Sequence, residues 1–220
     1  MHEDIKGYAY HNTKLGHIHR HIQPELEKIL RVLNISNGAR RVFDLGCGNG
    51  SVALHLMKLG FDVTGVDPST EGIRHARQGH PELKVYEGSA YDDLAAIYGR
   101  FPLVVSFEVV EHVYAPRKYA ATLYSLVEPG GTAIISTPYH GYWKNLAMAL
   151  TNKLDAHFTA LWDNGHIKFW SFRTLRFLLE ETGFRNIEFR RVGRVPALAM
   201  TMIAIARKPN GNTTSNRGNA

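Results

Sequence analysis

The stretch VFDLGCGNGSVALHL, residues 42–56, places three glycines, Gly46, Gly48 and Gly50, directly after an apolar run that contains a single acid, Asp44. Glycine has no side chain and adopts positive φ at little cost, so such a turn lets a ligand approach the main chain closely. The residues after the turn have the apolar spacing of a helix. A strand, a glycine turn and a helix in this order predict a ligand site at the carboxyl end of the strand.

The rest of the chain alternates between short apolar runs typical of strands and amphipathic segments typical of helices. Such alternation predicts an α/β fold, with a doubly wound, mostly parallel sheet covered by helices on both faces. The last two strands follow each other closely, which indicates an antiparallel pair at one edge. The predicted strands are RVFDLG (41–46), FDVTGVD (61–67), LKVYEG (83–88), PLVVSFE (102–108), TAIISTP (132–138), RNIEFRRVG (185–193) and LAMTMIAIARK (198–208).

Composition limits the classes of protein that fit. The 220 residues, 44% hydrophobic and 21% charged, suit one globular domain with a sizeable core. No apolar run of about 18 residues predicts a membrane span, and the first residues lack the apolar region of a secretory signal. A single cysteine, Cys47, excludes an internal disulfide and favours a cytoplasmic location. The formal charge of +6 is compatible with nucleic acid, an anionic membrane or an acidic substrate, and selects none of them.

The spacing around the glycine turn indicates the kind of ligand. The order G-C-G-N-G differs from the G-x-G-x-x-G fingerprint of dinucleotide-binding proteins. Asp67 ends the second strand, 21 positions after Gly46, where a carboxylate can accept hydrogen bonds from both hydroxyls of a ribose. Asp44 can face a cationic group near the turn. A ligand with an adenosine and a charged amino-acid tail, but no phosphates, suits these features.

The ordered motifs resemble those of the class I S-adenosylmethionine-dependent methyltransferases. They are DLGCGNG (44–50), VTGVDPS (63–69), YEGSAYDD (86–93), SFEVVEHV (106–113) and LVEPGGTAIISTP (126–138). The resemblance implies a Rossmann-like sheet of seven strands, a helical lid and S-adenosylmethionine as the cofactor. The residues that would bind the cofactor by this resemblance are Asp44, Gly46, Cys47, Gly48, Asp67, Pro68, Ser69, Ser89, Ala90, Tyr91, Phe107 and Glu108.

Methyl transfer to a hydroxyl requires a base or a metal ion that removes the proton from the nucleophile. His112 and His166 are the candidate catalytic bases, and His140, just past the fifth strand, is equally compatible with a structural role. If residues 108–112 begin a helix, Glu108, Glu111 and His112 share one face. All of these residues lie at the carboxyl edge of the predicted sheet.

The second half of the chain is similar to the ubiquinone-biosynthesis O-methyltransferases. EVVEHV (108–113), STPYHGYWKNLAMAL (136–150) and GHIKFW (165–170) carry the similarity. It implies a hydroxyl acceptor of phenolic, quinol or lipid-like type, and Mg²⁺ held by Glu108, Glu111 and His112. The alternative is that Glu108 and His112 line the cofactor and substrate without a metal.

Domain organisation and partners follow from the same segments. We expect one methyltransferase domain over 1–208, with lid segments at 1–35 and 139–170 and a disordered tail at 209–220. Apolar residues recur with helical spacing in 142–162, which predicts a lid, a contact with the inner membrane face, or a homodimer interface. The partner is expected to be a small molecule and not a nucleic acid; the alternatives are a nucleic-acid methyltransferase and a non-catalytic cofactor-binding subunit.

Overall fold

A computed structural model describes residues 17–33, 40–158, 160–162 and 165–211. The strands are β1 (Arg41–Leu45), β2 (Asp62–Asp67), β3 (Lys84–Glu87), β4 (Phe101–Phe107), β5 (Val127–Pro138), β6 (Arg185–Val192) and β7 (Thr201–Arg207). The helices are α1 (His17–Leu33), α2 (Ser51–Lys58), α3 (Thr70–Gly79), α4 (Leu94–Tyr98), α5 (Pro116–Leu126), α6 (Tyr142–Leu150), α7 (Leu154–Phe158) and α8 (Phe172–Thr182).

The seven strands form one sheet in the order β3-β2-β1-β4-β5-β7-β6. Strands β1 to β5 pair in parallel, and β7 is antiparallel to both β5 and β6. The predicted doubly wound, mostly parallel sheet is therefore confirmed, with the antiparallel strand placed one position in from the edge. The strand order reverses between β1 and β4, and ligands bind at such a switch point, beyond the carboxyl ends of the strands.

Helices cover both faces of the sheet. On one face, α4, α5 and α8 enclose a core that includes Phe43 of β1 and Tyr119 of α5. On the other, α1, α2 and α3 pack against the sheet, and α1 contributes Ile22, Leu26 and Ile29. Burial of these apolar side chains is the main stabilising contribution to such a fold.

Helix α1 begins at His17 and contains Pro24 in its interior. Proline has no N–H, so the turn that precedes it lacks one main-chain hydrogen bond. The apolar residues after Pro24 hold the helix on the sheet and outweigh this loss. The remainder of the predicted segment 1–35 lies outside the described residues.

The predicted helical stretch 142–162 is divided. Helix α6 ends at Leu150, and α7 covers only Leu154–Phe158. Asn152 has a φ of 53°, a left-handed conformation that ends a helix. The prediction of one continuous apolar stripe along this stretch was therefore wrong. None of the helices in the described ranges is long and apolar enough to cross a bilayer.

The chain end is described as far as residue 211, so most of the predicted tail 209–220 lies outside the described residues.

Candidate active site at the carboxyl ends of β1, β2 and β4

The glycine turn joins β1 to α2 and is fixed by the end of β2. The main-chain N–H groups of Gly46 and Cys47 both donate to the carbonyl oxygen of Val66, at 2.8 and 3.1 Å. Gly46 has a φ of 85°, and a Cβ at this position would collide with Val109. Glycine is therefore required here both for its backbone conformation and for the close approach of the β4–α5 connection.

The carboxylate of Asp67 connects the two strand ends. Its Oδ2 accepts a hydrogen bond from Gly48 N at 2.8 Å, and its Oδ1 accepts one from Ser69 N at 2.8 Å. Each carboxylate oxygen can accept a second hydrogen bond. Burial raises the pKa of Asp67 to about 6, and the two main-chain donors oppose this shift. The carboxylate is oriented by two main-chain donors and retains a lone pair on each oxygen. It is therefore suited to accept hydrogen bonds from the two hydroxyls of a vicinal diol.

Asp44 is a buried acid near the carboxyl end of the central strand β1. It is only 1% exposed, and its Oδ2 has no hydrogen-bond partner among the described residues. Burial, followed by the charge of Asp67, raises the pKa of Asp44 to about 8. An orphaned buried carboxyl is costly unless a ligand compensates it, so the arrangement fits a cationic group bound beside the turn.

Two neighbours of this acid have structural roles in the same turn. Burial and the charges of Asp44 and Asp67 raise the pKa of the Cys47 thiol, which therefore stays protonated. The thiol is not a nucleophile in this environment. Ser69, which follows Pro68, accepts a hydrogen bond from Gly72 N at 3.0 Å and so caps α3.

The loop after β3 completes this side of the site. Ser89 N donates to Asp92 Oδ2 at 2.7 Å, and Tyr91 N donates to Ser89 Oγ at 3.1 Å. The Tyr91 hydroxyl accepts a hydrogen bond from Ala115 N at 2.9 Å, which ties the loop to the start of α5. These contacts give Ser89, Ala90 and Tyr91 a fixed conformation at the edge where β1 and β2 end.

The connection after β4 is a turn and not the helix considered for residues 108–112. The chain forms a turn at 110–112, and α5 begins only at Pro116. Glu108, directly after the buried Phe107, has a φ of 56°, which is uncommon for a residue with a side chain. Its main-chain N–H donates to Ser136 O at 3.1 Å, and its Oε1 accepts a hydrogen bond from Ser136 Oγ at 2.8 Å. These contacts from β5 hold the strained residue in place.

The segment GHIKFW (165–170) docks on this turn through its main chain. The N–H groups of Ile167 and Lys168 both donate to the carbonyl oxygen of Glu111, at 2.9 and 3.0 Å. His112 Nδ1 lies 3.2 Å from Gly165 O, a contact in which the ring donates. Because of these bonds, His166 is brought against the β4–α5 connection, although it lies more than 50 residues later in the chain.

Glu111, His112 and His166 form a group whose potential ligand atoms all lie within 4.8 Å of one another. Glu111 is buried, and neither of its carboxylate oxygens has a partner among the residues described. The rings of His112 and His166 meet edge to face with their centroids 4.9 Å apart. Glu108 lies outside this group of three; its carboxylate accepts a hydrogen bond from Ser136 and also interacts with the side chain of Glu111.

Titratable side chains from α6 and α7 extend the group, and sequence reasoning missed two of them, Lys144 and His157. Lys144 is the one charged residue in the segment WKNLAMAL (143–150), and this was the available signal in the sequence. The ring centroids of His140 and His157 lie 5.2 Å apart. Burial, with the charge of Lys144 as a smaller cause, lowers the pKa values of both histidines and of His166. We call this set the polar cluster: Glu108, Glu111, His112, His140, Lys144, His157 and His166.

Burial determines the protonation states in the polar cluster. It raises the pKa of Glu108 to about 7, and together with the charge of Glu108 it raises the pKa of Glu111 well above its usual value. It lowers the pKa values of His140 and His166 to about 4, with smaller contributions from nearby cationic side chains. At neutral pH the two imidazoles are therefore neutral and able to accept a proton.

A groove of about 740 Å³ lies between α1, α8, β6 and β7, lined by residues such as Glu25, Arg176 and Arg190. It contains none of the predicted site residues, so it is separate from the active-site candidate.

Comparison with known proteins agrees with this geometry. A family model described as "Methyltransferase domain" matches residues 16–188. The chain is 36% identical over 126 residues to a ubiquinone biosynthesis O-methyltransferase of Caulobacter sp. strain K31. This alignment covers 56% of this chain and 48% of that protein. It is 34% identical over 141 residues to the enzyme of the same name from Cereibacter sphaeroides, with coverage of 62% and 56%. The chain thus spans about half the length of the curated relatives it matches.

A solved structure with the same architecture is that of magnesium protoporphyrin IX methyltransferase from Synechocystis PCC 6803 with bound SAH. Its TM-score to this chain is 0.62, with 16% identity, and the alignment covers 92% of this chain and 90% of that one. At this identity the similarity shows the shared fold.

We predict that Asp44→Asn stabilises the ligand-free protein at high pH. Because the pKa of Asp44 is raised from 3.8 to about 8, the folded protein retains a proton that the unfolded chain releases between these values. Stability therefore falls as the pH rises through this window, and the amide removes the effect. In thermal denaturation the variant should melt at least about 2 °C above the wild type at pH 8, with the difference shrinking towards pH 4.

The matched control is Asp62→Asn, which changes an exposed acid on the adjacent strand β2. It should show no gain that grows with pH. Parallel melting curves for Asp44→Asn and the wild type between pH 5 and pH 8 would contradict the assignment of a costly buried charge.

Proposed function

Since the chain belongs to the methyltransferase-domain family, we propose that it transfers a methyl group from S-adenosylmethionine to a hydroxyl oxygen of a small molecule. The observation that carries this proposal is the pairing of Asp67, which is oriented by two main-chain donors, with the orphaned carboxyl of Asp44. A diol that Asp67 can bind and a cationic group that Asp44 can face are both features of a sulfonium nucleoside with an amino-acid tail. The hydroxyl acceptor is supported by the relatives named O-methyltransferases.

Each strand end has its own role in this proposal. Asp67 binds the ribose hydroxyls, and Pro68 and Ser69 flank it. Asp44 and the turn Gly46–Cys47–Gly48 bind the amino-acid tail, while Ser89, Ala90 and Tyr91 flank the adenine. Phe107 and Glu108 close the site on the side of the methyl group, next to the polar cluster.

S-adenosylmethionine supplies, when bound, a methyl group on a cationic sulfur that leaves neutral, so the leaving group needs no acid. The acceptor oxygen forms the new bond to carbon and must lose its proton. His166 accepts this proton, because its imidazole is neutral at physiological pH and it lies against the carboxyl edge of β4. His112 positions His166 through the contact of its Nδ1 with Gly165 O.

The donor atoms do not fit Mg²⁺ well, and we assign no step to that ion. Magnesium prefers an octahedron of oxygen ligands, whereas the compact group here consists of one carboxylate and two imidazoles. Glu108, the second carboxylate in the predicted magnesium set, is engaged by Ser136.

The segment 142–162 is proposed to rest on an anionic membrane surface and to admit a lipid-like acceptor at the inner face. It exposes large apolar side chains, with Trp143 65%, Leu150 78% and Leu161 98% exposed. Exposed apolar groups of this size favour an interface over solvent. The net charge of +6 adds attraction to anionic headgroups.

The first prediction of the proposed function concerns cofactor binding. Asp67→Ala should weaken binding of S-adenosylhomocysteine, the demethylated product, at least about tenfold, because it removes charged hydrogen-bond acceptors. Isothermal titration calorimetry measures this, and Asp62→Ala, at the other end of the same strand, should bind like the wild type. Unchanged affinity in Asp67→Ala would refute the site, and a wild type that binds no S-adenosylhomocysteine would refute the function.

The second prediction concerns proton transfer. His166→Gln should lower kcat by about 100-fold or more, with affinity for S-adenosylhomocysteine unchanged. Methyl transfer is measured by mass spectrometry on a panel of catechols, phenols, sugars and a nucleic acid, using the acceptor that reacts fastest. His80→Gln, a change at the end of α3, is the control. A kcat equal to the wild type in His166→Gln would exclude His166 as the base.

That panel also separates the alternatives. Transfer confined to the nucleic acid would replace the small-molecule acceptor, and cofactor binding without transfer to any acceptor would indicate a non-catalytic subunit.

The third prediction concerns the membrane. The double variant Trp143→Ser, Leu150→Ser should cosediment several-fold less with vesicles of mixed neutral and anionic lipid than the wild type. Phe177→Ser, an exposed aromatic residue on α8, is the matched control. Equal cosedimentation of all three proteins would exclude the membrane contact. A wild-type dimer that becomes a monomer in the double variant would assign the surface to a second copy.

A further inference from the structure

The sheet ends in two outer strands, β3 and β6, and neither has a neighbouring strand on its outer side among the residues that the structure describes. An outer strand presents main-chain N–H and C=O groups with which another extended chain can pair. The proposed function assigns a role to neither edge. The two edges differ in length, in protection and in charge.

Strand β3 is short, and its edge is blocked. It contains only the four residues Lys84–Glu87. The Nε and Nη2 groups of Arg77, on α3, both donate to the carbonyl oxygen of Val85, at 3.0 and 2.8 Å. A guanidinium bound to the main chain of so short a strand leaves little length for pairing. Strand β3 is therefore protected from the addition of another strand.

Strand β6 is protected only at its start. The register with β7 shifts before Glu188, and Asn186 has a φ of 50°, so the strand begins with a bulge. The Nη2 group of Arg176, on α8, donates to the carbonyl oxygen of Ile187 at 2.9 Å. From Glu188 to Val192 the pairing with β7 is regular. We call residues 188–192 the open edge, since no side chain in the described ranges bonds to their main chain.

The side chains of β6 carry a surplus of positive charge. Three arginines, Arg185, Arg190 and Arg191, stand against one acid, Glu188. Arg190 Nη2 lies 3.5 Å from Glu188 Oε2, so these two charges are paired. Arg191 lies over the ring of Phe172, 4.8 Å from its centroid, and forms no ion pair with an acid of the described residues. An acidic side chain placed opposite the open edge would therefore be attracted.

The groove of about 740 Å³ continues this surface on the side of α1. Its lining adds two cations, Lys28 of α1 and Arg207 of β7. Glu25, an acid in the same lining, is paired with Lys28 at 3.1 Å. Val32, also in the lining, is 80% exposed and offers an apolar contact. A segment laid along the open edge would meet both positive charge and apolar surface with its side chains.

We propose that the open edge of β6 is a strand-addition site for an extended, acidic segment of another protein. Main-chain pairing with residues 188–192 supplies the affinity, and the arginine side chains select acidic residues at alternate positions of the partner. This interaction does not depend on the proposed function, because it involves neither the cofactor nor the polar cluster.

Charge disfavours the two other occupants, a segment of this chain and a second copy of it. Residues 1–16 contain two acids and two lysines, 34–39 contain no charged residue, and 212–220 contain one arginine and no acid. A second copy would bring the same surplus of arginine to the contact, and like charges placed opposite each other are destabilising. An acidic partner matches the open edge better than either.

The test uses the full chain and a fluorescein-labelled peptide of alternating glutamate and valine, about ten residues long. Fluorescence anisotropy measures binding. In one control peptide, lysine replaces glutamate. In the other, alternate peptide nitrogens are methylated, which removes N–H donors needed for strand pairing but keeps the charge. Hydrogen exchange read by mass spectrometry follows 185–192 with and without the peptide.

Three variants accompany the wild type, and melting curves establish that each is folded. The double variant Arg190→Glu, Arg191→Glu reverses the charge of the open edge. Arg190→Gln removes one charge from an exposed side chain and is the milder change. Arg74→Glu, an exposed arginine on α3 beside the opposite edge of the sheet, is the matched control.

We expect the wild type and Arg74→Glu to bind the acidic peptide at least about tenfold more tightly than either control peptide. The acidic peptide should slow exchange in 185–192 and leave exchange in β3 unchanged. Arg190→Gln should bind it several-fold more weakly. The double variant should prefer the lysine peptide, a reversal that a misfolded protein would not show.

The proposal is overturned if the wild type does not bind the acidic peptide, or binds it without slower exchange in β6. Equal binding of the N-methylated peptide would reduce the surface to a contact between charges and exclude strand addition. An unchanged preference in both folded arginine variants would place the contact elsewhere. A wild-type dimer in which β6 already exchanges slowly before the peptide is added would assign the edge to a second copy instead.

Discussion

The carboxylate of Asp67 is the contact on which the organisation of the site depends. Its two oxygens accept main-chain hydrogen bonds from the turn after β1 and from the start of α3, so one side chain sets the relative position of two strand ends. These strand ends belong to β1 and β2, which are neighbours on one side of the switch point. With the turn held in this way, Asp44 is enclosed and its Oδ2 has no hydrogen-bond partner among the described residues, so the site contains a buried carboxyl that a ligand can satisfy.

The polar cluster follows a different principle, because its members come from two connections. One joins β4 to α5, and the longer one joins β5 to α8 and contains α6, α7 and the GHIKFW segment. The carbonyl oxygen of Glu111 brings the two together by accepting two N–H groups. Burial then shifts the acids towards their neutral forms and the imidazoles towards theirs. Burial and the charge of Arg194 lower the pKa of Lys144 to about 8, so this amine is still mostly protonated at neutral pH.

The order of strands and helices could be predicted from sequence because local apolar periodicity and glycine turns encode it. The positions of Asp44, Gly46 and Asp67 at one edge followed from the parallel topology alone. The division of 142–162 could not be foreseen, since Asn152 is compatible with either a helix interior or a left-handed stop. The burial of Lys144 was equally hidden, because it depends on contacts with the carbonyl oxygens of Tyr139 and of Met200, the second of which is 56 residues away. The assignments of cofactor and catalytic residues stay predictions.

The placement of β7 between β5 and β6 has a consequence for biosynthesis. Strand β6 leaves the ribosome before β7, yet β7 is the only strand beside it in the part of the chain that the structure describes. The five parallel strands can therefore assemble in the order of their synthesis, while β6 waits with both edges unpaired until the following strand inserts beside it. During that interval the nascent chain exposes an unpaired strand that can form hydrogen bonds with other polypeptides. A chaperone would be of most use in this interval.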